Sequence, residues 1–472
     1  MALRGPGEKP SLPSATAPGN RLPLRIDSLA FGGDGVARRE GLVILVEGGL
    51  PGEIVDARIE RRSRSFARAR AERILSASSS RIAPACVHFS ECGGCAYQSL
   101  EYEAQLVAKQ RQVADLLERI GGFGDPPVAA IRPGPAAYSY RRRMTYALPI
   151  ANGGPGLHRR GSPERILEVE GCLLPEEGLQ RAYRRLLADF RSLRIASRPV
   201  QIELHTGDRD RPVAVLRGRS APAAEIVRLA AAWTAADGPL EGVVWQRSAD
   251  PIRRGRQGKR TLLSGEDDLR TRLGPFTYRI PAGCFFQANV LQAEQLFRES
   301  ARRCEAVAGD ILELYSGVGA LSLFLGATGR PLLAVEGDAC AVAAARENSG
   351  ANGMETIVFQ AQPVEQAVKD LAASARRFGT VVVDPPRTGL PPGMARALGG
   401  LAREQILYLS CNPATLARDL KEITSGGEFR VRDVVPWDLF PQTAEIECLA
   451  ELRREKEDQL GHSRISPSRS AS

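Results

Sequence analysis

From Asp310 onward, short apolar runs alternate with alanine-rich ones: ILELYS, LSLFLGA, LLAVEG, CAVAAARENSGANG, IVFQA, VEQAVKDLAASARR, TVVVDPP and QILYLSC. Strands that are apolar along their whole length must be covered on both faces, and the intervening segments have the composition to cover them as helices. This alternation predicts a doubly wound α/β domain with a largely parallel sheet, whose ligands bind at the carboxyl ends of the strands.

Three segments fall at those ends. In LELYSGVGALSL a strand runs through an acidic residue into a Gly-x-Gly turn, and Gly317 and Gly319 let the backbone approach a ligand. Glu336 closes the next strand, placed to accept hydrogen bonds from ribose hydroxyls. A dinucleotide fingerprint wants a third glycine where Ser322 stands, so the pattern favours S-adenosylmethionine over NAD. In VVVDPPRTGL two prolines forbid helix and hold the Asp384 carboxylate at the sheet edge. Amino-methyltransferases carry an aromatic residue after D-P-P, and Arg387 argues against that chemistry. In YLSCNPATLARDL, Cys411 stands where a strand gives way to a loop, either an inert core thiol or a nucleophile.

With 472 residues the chain exceeds one compact core. Residues 1–20 and 456–472, rich in Pro, Ser and Gly or in Ser and Arg, read as disordered tails. Residues 21–79 carry short strand-like runs punctuated by FGGDG and GGLPGE, which fits a five-stranded barrel of the OB-like, nucleic-acid-binding kind. Seven arginines between Arg58 and Arg73 alternate with Ile59, Phe66 and alanines, an order suited to a phosphate backbone as well as to a solvated face. The net charge of +9 agrees with a polyanionic partner. A central α+β domain is expected over 80–282 and the doubly wound domain over 283–455. The sequence contains neither a stretch suited to crossing a membrane nor an apolar leader, so a cytoplasmic protein is expected.

Of nine cysteines, Cys86, Cys92 and Cys95 lie within ten residues and Cys172 far downstream. Three local thiols and a remote fourth suit a 4Fe-4S cluster, and zinc remains an alternative on spacing alone. Cys284, Cys304, Cys340 and Cys448 read as buried apolar thiols.

Taken together, LELYSGVG, VVVDPPRTGL, YLSCNPATLARDL and WDLFPQTAEIEC resemble the RNA uracil-5-methyltransferase family. GCFFQANVLQAEQLF and YSYRRRMTYAL resemble its upstream blocks, and 22–76 its TRAM domain. The resemblance implies a class I, Rossmann-like methyltransferase domain and methyl transfer from S-adenosylmethionine to uracil C5. By its motifs Cys411 is the nucleophile that adds to C6, and Glu447 the base that removes the C5 proton. Gln287, Tyr315, Gly317, Gly319, Glu336 and Asp384 form the expected binding set. Gln287 faces the methionine end of the cofactor, Tyr315 and Glu336 its adenosine, and Asp384 orients the uracil or favours its enolate. The C-x5-C-x2-C…C arrangement resembles the 23S ribosomal RNA branch, which implies a 4Fe-4S cluster on Cys86, Cys92, Cys95 and Cys172, 23S rRNA as partner, and a monomer. Four positions depart from the family pattern: Glu445 replaces a histidine, where it is expected to repel a nearby carboxylate or raise its proton affinity, Ser316 a common cysteine, Pro363 an Asn or Asp, and Arg142 an asparagine, its target left open. Transfer RNA methylation is one rival reading. A non-catalytic RNA-binding or ribosome-assembly protein with a decayed cofactor pocket is another.

Overall fold

The computed structural model describes residues 14–149, 153–195, 198–248 and 258–455, so most of both expected tails lies outside the described residues. The chain forms two compact units, one comprising residues up to Val87, Cys95–Gln112 and Gln442–Ala444, the other the remainder.

In the first unit a 3-10 turn at Ser14–Thr16 leads into β1 (Arg21–Arg25), β2 (Ser28–Leu29), β3 (Gly35–Arg39), β4 (Leu42–Glu47), β5 (Ile54–Arg62) and β6 (Phe66–Ser76). These form one six-stranded sheet in the order β1-β5-β6-β4-β3-β2. The expected five strands become six because the two-residue β2 is too short to show a period. Along β5 and β6, Val55, Ala57, Ile59, Ala67 and Ala69 are buried while Arg58, Arg61 and Arg68 face outward, the alternation of a half-buried sheet. The arginines are less bare than their spacing implies. Arg58 pairs with Glu72 at 2.7 Å, Arg68 with Asp34 at 3.2 Å and Arg70 with Glu47 at 2.9 Å, so neighbouring carboxylates offset much of the basic face. Glu53 is fully buried; burial pushes its carboxyl up, but the Arg81 guanidinium and the Leu50 and Ser78 amides outweigh this and hold it below the usual range. Helix α1 (Tyr102–Leu116) follows and ends in a π turn at Leu117–Gly121.

The second unit contains β7 (Arg143–Ala147), β8 (Leu157–Arg159), β9 (Ser162–Leu167), α2 (Glu177–Ser192), β10 (Gln201–His205), β11 (Val213–Gly218), α3 (Ala224–Trp233), β12 (Gly242–Arg247) and β13 (Lys259–Gly265). Strands β13-β12-β11-β10-β7 make a mixed sheet over a core that includes Tyr146, Tyr183, Phe190, Trp233 and Trp245. Tyr146 and Tyr183 stack with centroids 4.2 Å apart. A hairpin, β14 (Asp268–Leu273) and β15 (Phe276–Pro281), leads to α4 (Val290–Glu305).

The rest of the second unit alternates as the sequence predicts: β16 (Ile311–Leu314), α5 (Ala320–Gly326), β17 (Leu332–Glu336), α6 (Ala339–Ala351), β18 (Ile357–Ala361), α7 (Val364–Ala373), β19 (Phe378–Val383), α8 (Met394–Leu401), β20 (Ala402–Ser410), α9 (Pro413–Thr424), β21 (Phe429–Trp437) and β22 (Glu447–Arg454). The seven-stranded sheet has the order β18-β17-β16-β19-β20-β22-β21. Strands β16 to β20 are parallel, and β22 runs antiparallel to both neighbours. Two clusters of buried apolar side chains include residues of this sheet, the sandwich that parallel strands require. The reversed β22 escaped the sequence reading; its first residues return to the edge where the parallel strands end.

Candidate active site

The turn after β16 is shaped by backbone geometry. The Tyr315 and Ser316 amides both donate to the Val335 carbonyl, at 2.9 and 3.2 Å, so the ladder with β17 continues to the sheet edge. There the chain bends sharply, with φ of +67° at Tyr315, +56° at Gly317 and +79° at Gly319. A tyrosine in the left-handed region is strained, and such strain concentrates at sites of function. At Gly319 a Cβ would stand 3.3 Å from the Ala345 Cβ and 3.4 Å from the Phe359 ring, so close packing demands glycine. At Gly317 it would meet nothing within 4 Å: the backbone there borders open space. The Glu336 carboxylate, at the end of β17, accepts from the Gly317 amide at 3.0 Å and the Asp338 amide at 2.8 Å. The Ser316 hydroxyl beside this turn is buried without a hydrogen-bond partner. An orphaned hydroxyl, an open glycine face and a fixed carboxylate fit a nucleoside-bearing ligand such as S-adenosylmethionine.

Ser322, read as the missing third glycine, has a different role: its hydroxyl donates to Glu313 at 2.5 Å. Glu313 is an acid inside an otherwise apolar strand, 3% exposed, and burial pushes its carboxyl up to about 8. The folded state therefore holds a proton that the unfolded state releases between the ordinary carboxyl range and pH 8, so this group loses stability as pH rises across that window. Glu313→Gln is expected to lose none of it. Its urea midpoint relative to the parent should climb from pH 5 to pH 8, corresponding to a few kcal/mol at most, and a constant difference would contradict the buried proton.

The reactive groups gather at the neighbouring strand ends. Asp384 follows β19, its amide donating to the Leu314 carbonyl at 3.3 Å. Cys411 follows β20. Asn412 then caps α9 by accepting from the Ala414 amide, with Pro413 in the first turn. The Asn412 side chain also donates to the Arg387 carbonyl at 3.0 Å, which ties the cysteine loop to the D-P-P-R loop. Strands β20 and β22 pair with Ser410 opposite Cys448, so one step further along the register brings Glu447 beside Cys411. Burial, then Glu447 and Asp384, push the Cys411 thiol up to about 12, against the pull of Arg387. Burial and Asp384 push the Glu447 carboxyl well above its usual range, Arg387 opposing, and burial alone raises Asp384 to about 7. A thiol and two carboxyls with raised proton affinities, in mutual electrostatic reach, form a site for nucleophilic attack coupled to proton transfer near neutrality.

Gln287 lies on another element, the loop before α4. That loop is held by Asn289, whose amide donates to the Leu439 carbonyl at 3.0 Å, and by the Ala288 carbonyl, which accepts from the Arg142 amide at 2.8 Å. The side chain of Arg142, whose target the sequence left open, binds Glu176 at 2.8 Å, Asp208 at 3.2 Å and Thr271 at 3.1 Å. Glu445, where repulsion of a carboxylate was expected, instead pairs with Arg387 and, at 3.2 Å, with Arg141. Pro363 caps α7. Ser316, Glu313 and the Arg387–Glu445–Arg141 bridge are what sequence reasoning missed as functional surroundings. The acid within ILELYS was the one visible signal among them.

Cys86 and Cys95 belong to the first unit, Cys92 and Cys172 to the second, and all four thiols are free of disulfides. Among the described residues no three His, Cys, Asp or Glu side chains are disposed to hold a metal ion, and no helix is long and apolar enough to cross a membrane.

The sheet order, its reversed strand and the glycine turn define an α/β methyltransferase fold. The comparisons with known proteins are more specific. Residues 252–455 match the tRNA (Uracil-5-)-methyltransferase family and residues 16–71 the TRAM domain. An uncharacterized RNA methyltransferase of Gloeobacter violaceus is 35% identical over 94% of this chain and 99% of its own. The 23S rRNA (uracil(1939)-C(5))-methyltransferase RlmD of Azoarcus sp. is 34% identical over 91% of this chain and 99% of its own. Among solved structures, the Pyrococcus abyssi tRNA (uracil-54, C5)-methyltransferase in complex with S-adenosyl-L-homocysteine superposes with a TM-score of 0.68 at 26% identity, covering 91% of this chain and all of that one. The chain belongs to the RNA uracil-5-methyltransferase family and is an S-adenosylmethionine-dependent enzyme acting on RNA.

Proposed function

We propose that this protein methylates C5 of a uridine in 23S ribosomal RNA, in the cytoplasm, through a covalent adduct on Cys411. The observation that carries the reading is the register of β20 and β22, which sets Cys411 beside Glu447 with Asp384 in electrostatic reach of both. Uracil C5 is a poor nucleophile, and a thiolate at C6 turns the ring into an enolate with electron density on C5. As the S–C6 bond forms, Asp384 takes the thiol proton and, as a neutral acid, hydrogen-bonds the enolate oxygen. S-adenosylmethionine, when bound, supplies an electrophilic methyl group to C5. The Glu447 carboxylate then removes the C5 proton, the C5–C6 double bond re-forms, and Cys411 leaves and recovers its proton from Asp384. Gln287, Tyr315, Gly317, Gly319 and Glu336 hold the cofactor in this reading, and Ser316 provides a further polar contact.

We also propose that Cys86, Cys92, Cys95 and Cys172 hold a 4Fe-4S cluster. Support comes from the donor set, four cysteines in no disulfide, of which Cys95 Sγ accepts from Gln98 Nε2 at 3.2 Å and Cys92 Sγ from the Gly94 amide at 3.4 Å. Hydrogen bonds to sulfur are how proteins commonly tune such clusters. Thiolates around an inorganic core stand further apart than ligands of a single ion. The cluster's role here is architectural, and no step of the reaction passes through it.

The ribosomal assignment leans on the 34% identity to the Azoarcus enzyme over 91% of this chain and 99% of that one. Incubation with labelled S-adenosylmethionine and separate ribosomal and transfer RNA pools should place the label on uridine of 23S rRNA. Label confined to transfer RNA would overturn that assignment, and none in either pool would remove the activity.

A further inference from the structure

Two thiols outside the reaction lie close together, Cys284 Sγ and Cys340 Sγ at 3.9 Å. Cys284 sits in the turn after β15, its amide donating to the Pro281 carbonyl at 2.9 Å. Cys340 occupies the first turn of α6, where its amide donates to the Asp338 carboxylate at 3.0 Å. From β13, Arg260 Nη1 reaches both sulfurs, at 3.7 Å from Cys284 and 3.4 Å from Cys340. A cavity of about 240 Å³ adjoins them, lined by Arg260, Leu262, Asp267, Pro281 and Cys340 among others. Cys284 is 2% exposed, whereas Cys340 is half-buried and lines the cavity. The sequence offered no reason to pair them, because they lie far apart in the chain.

This arrangement has the parts of a peroxide-reactive dithiol. Cys340 is reachable from the cavity, in the first turn of α6 and 3.4 Å from the Arg260 guanidinium. Cys284 waits behind it, close enough to attack. A disulfide needs a sulfur separation of about 2.05 Å, so its formation draws the two segments together by up to about 2 Å. Those segments carry Gln287, just beyond Cys284, and Glu336, just before Cys340.

We propose that Cys284 and Cys340 form a reversible disulfide on exposure to hydroperoxides, and that the bond weakens cofactor binding by displacing Gln287 and Glu336. In the first step the Cys340 sulfur attacks the peroxide: an S–O bond forms, the O–O bond breaks, and the departing oxygen takes the Cys340 proton as water or alcohol. In the second, Cys284 attacks that sulfur, the S–S bond forms, and hydroxide leaves and takes the Cys284 proton as water. Two thiols and one hydroperoxide give one disulfide, one water and one water or alcohol. The effect on binding rests on the cofactor contacts of the proposed function; the bond itself does not.

The test uses the full-length protein, treated with hydrogen peroxide, alkylated without reduction and digested for mass spectrometry. The expected result is a peptide linking Cys284 to Cys340 that dithiothreitol releases. By calorimetry without RNA, S-adenosylmethionine affinity should fall roughly tenfold on oxidation and recover on reduction. Cys340→Ser, at a half-exposed position, should keep its affinity through the same treatment. Separately alkylated Cys284 and Cys340 after peroxide, or an affinity loss equal in Cys340→Ser, would overturn the proposal. Both readouts are independent of methyl transfer, so a failure of the ribosomal assignment would be seen separately.

Discussion

Glu447→Gln is expected to turn the enzyme into a trap for its own substrate. Glutamine keeps the hydrogen-bonding outline of the buried side chain, whose proton affinity burial and Asp384 have raised, but it cannot accept the C5 proton. Attack by Cys411 and methylation of C5 do not need that proton removed, whereas breaking the S–C6 bond does. Turnover should therefore fall by roughly 10² to 10⁴-fold, while RNA carrying one methyl group accumulates on the protein. Denaturing gel electrophoresis after incubation with labelled cofactor reads this directly as a band of protein plus RNA. Free, unmethylated RNA with no such band would take Glu447 out of the base role.

Cys411→Ala should abolish methyl transfer altogether, by roughly four to six orders of magnitude as for other covalent nucleophiles, with no adduct. Its cofactor affinity should be unchanged, because the glycine turn follows β16, Glu336 ends β17 and Cys411 follows β20. Single-turnover assays beside calorimetry separate the two effects. A variant that still methylated at a measurable fraction of the parent rate would show that C5 is activated without a protein thiol. The double variant Cys411→Ala, Glu447→Gln should resemble the first alone, since a base for elimination has nothing to act on when no adduct forms.

Much of this was legible in the chain because parallel strands buried on both faces leave near-continuous apolar runs, and because loops at their carboxyl ends carry unusual residues. Gly317, Gly319, Asp384 and Cys411 stand out for that reason. Glu447 was visible only through the family resemblance, since a buried carboxylate at the start of a strand has no local signature. What escaped depended on contacts between distant segments. The neutralisation of Glu445 by Arg387 and Arg141 joins three stretches of chain, and the seating of Arg142 among Glu176, Asp208 and Thr271 joins four. The arginine run was legible as a basic strand, but the cross-strand acids that pair with it, such as Glu72 and Glu47, were invisible to a local period. Ser322, read by the glycine it is not, also has a role that no pattern showed: its hydroxyl donates to the buried acid Glu313.

The reversal of β22 divides labour within the sheet. A parallel strand can present to the ligand edge only the residue with which it ends, so β16, β17, β19 and β20 deliver loops. An antiparallel strand presents the residue with which it begins, and here Glu447 is held opposite Trp437 in the ladder with β21. In the proposed mechanism the residue that releases the product is thus anchored in the framework, and the residue that seizes the substrate rides on a turn. Insertion of one residue within β20 or β22 would preserve every motif in the sequence yet face the two partners in opposite directions, parting capture from release.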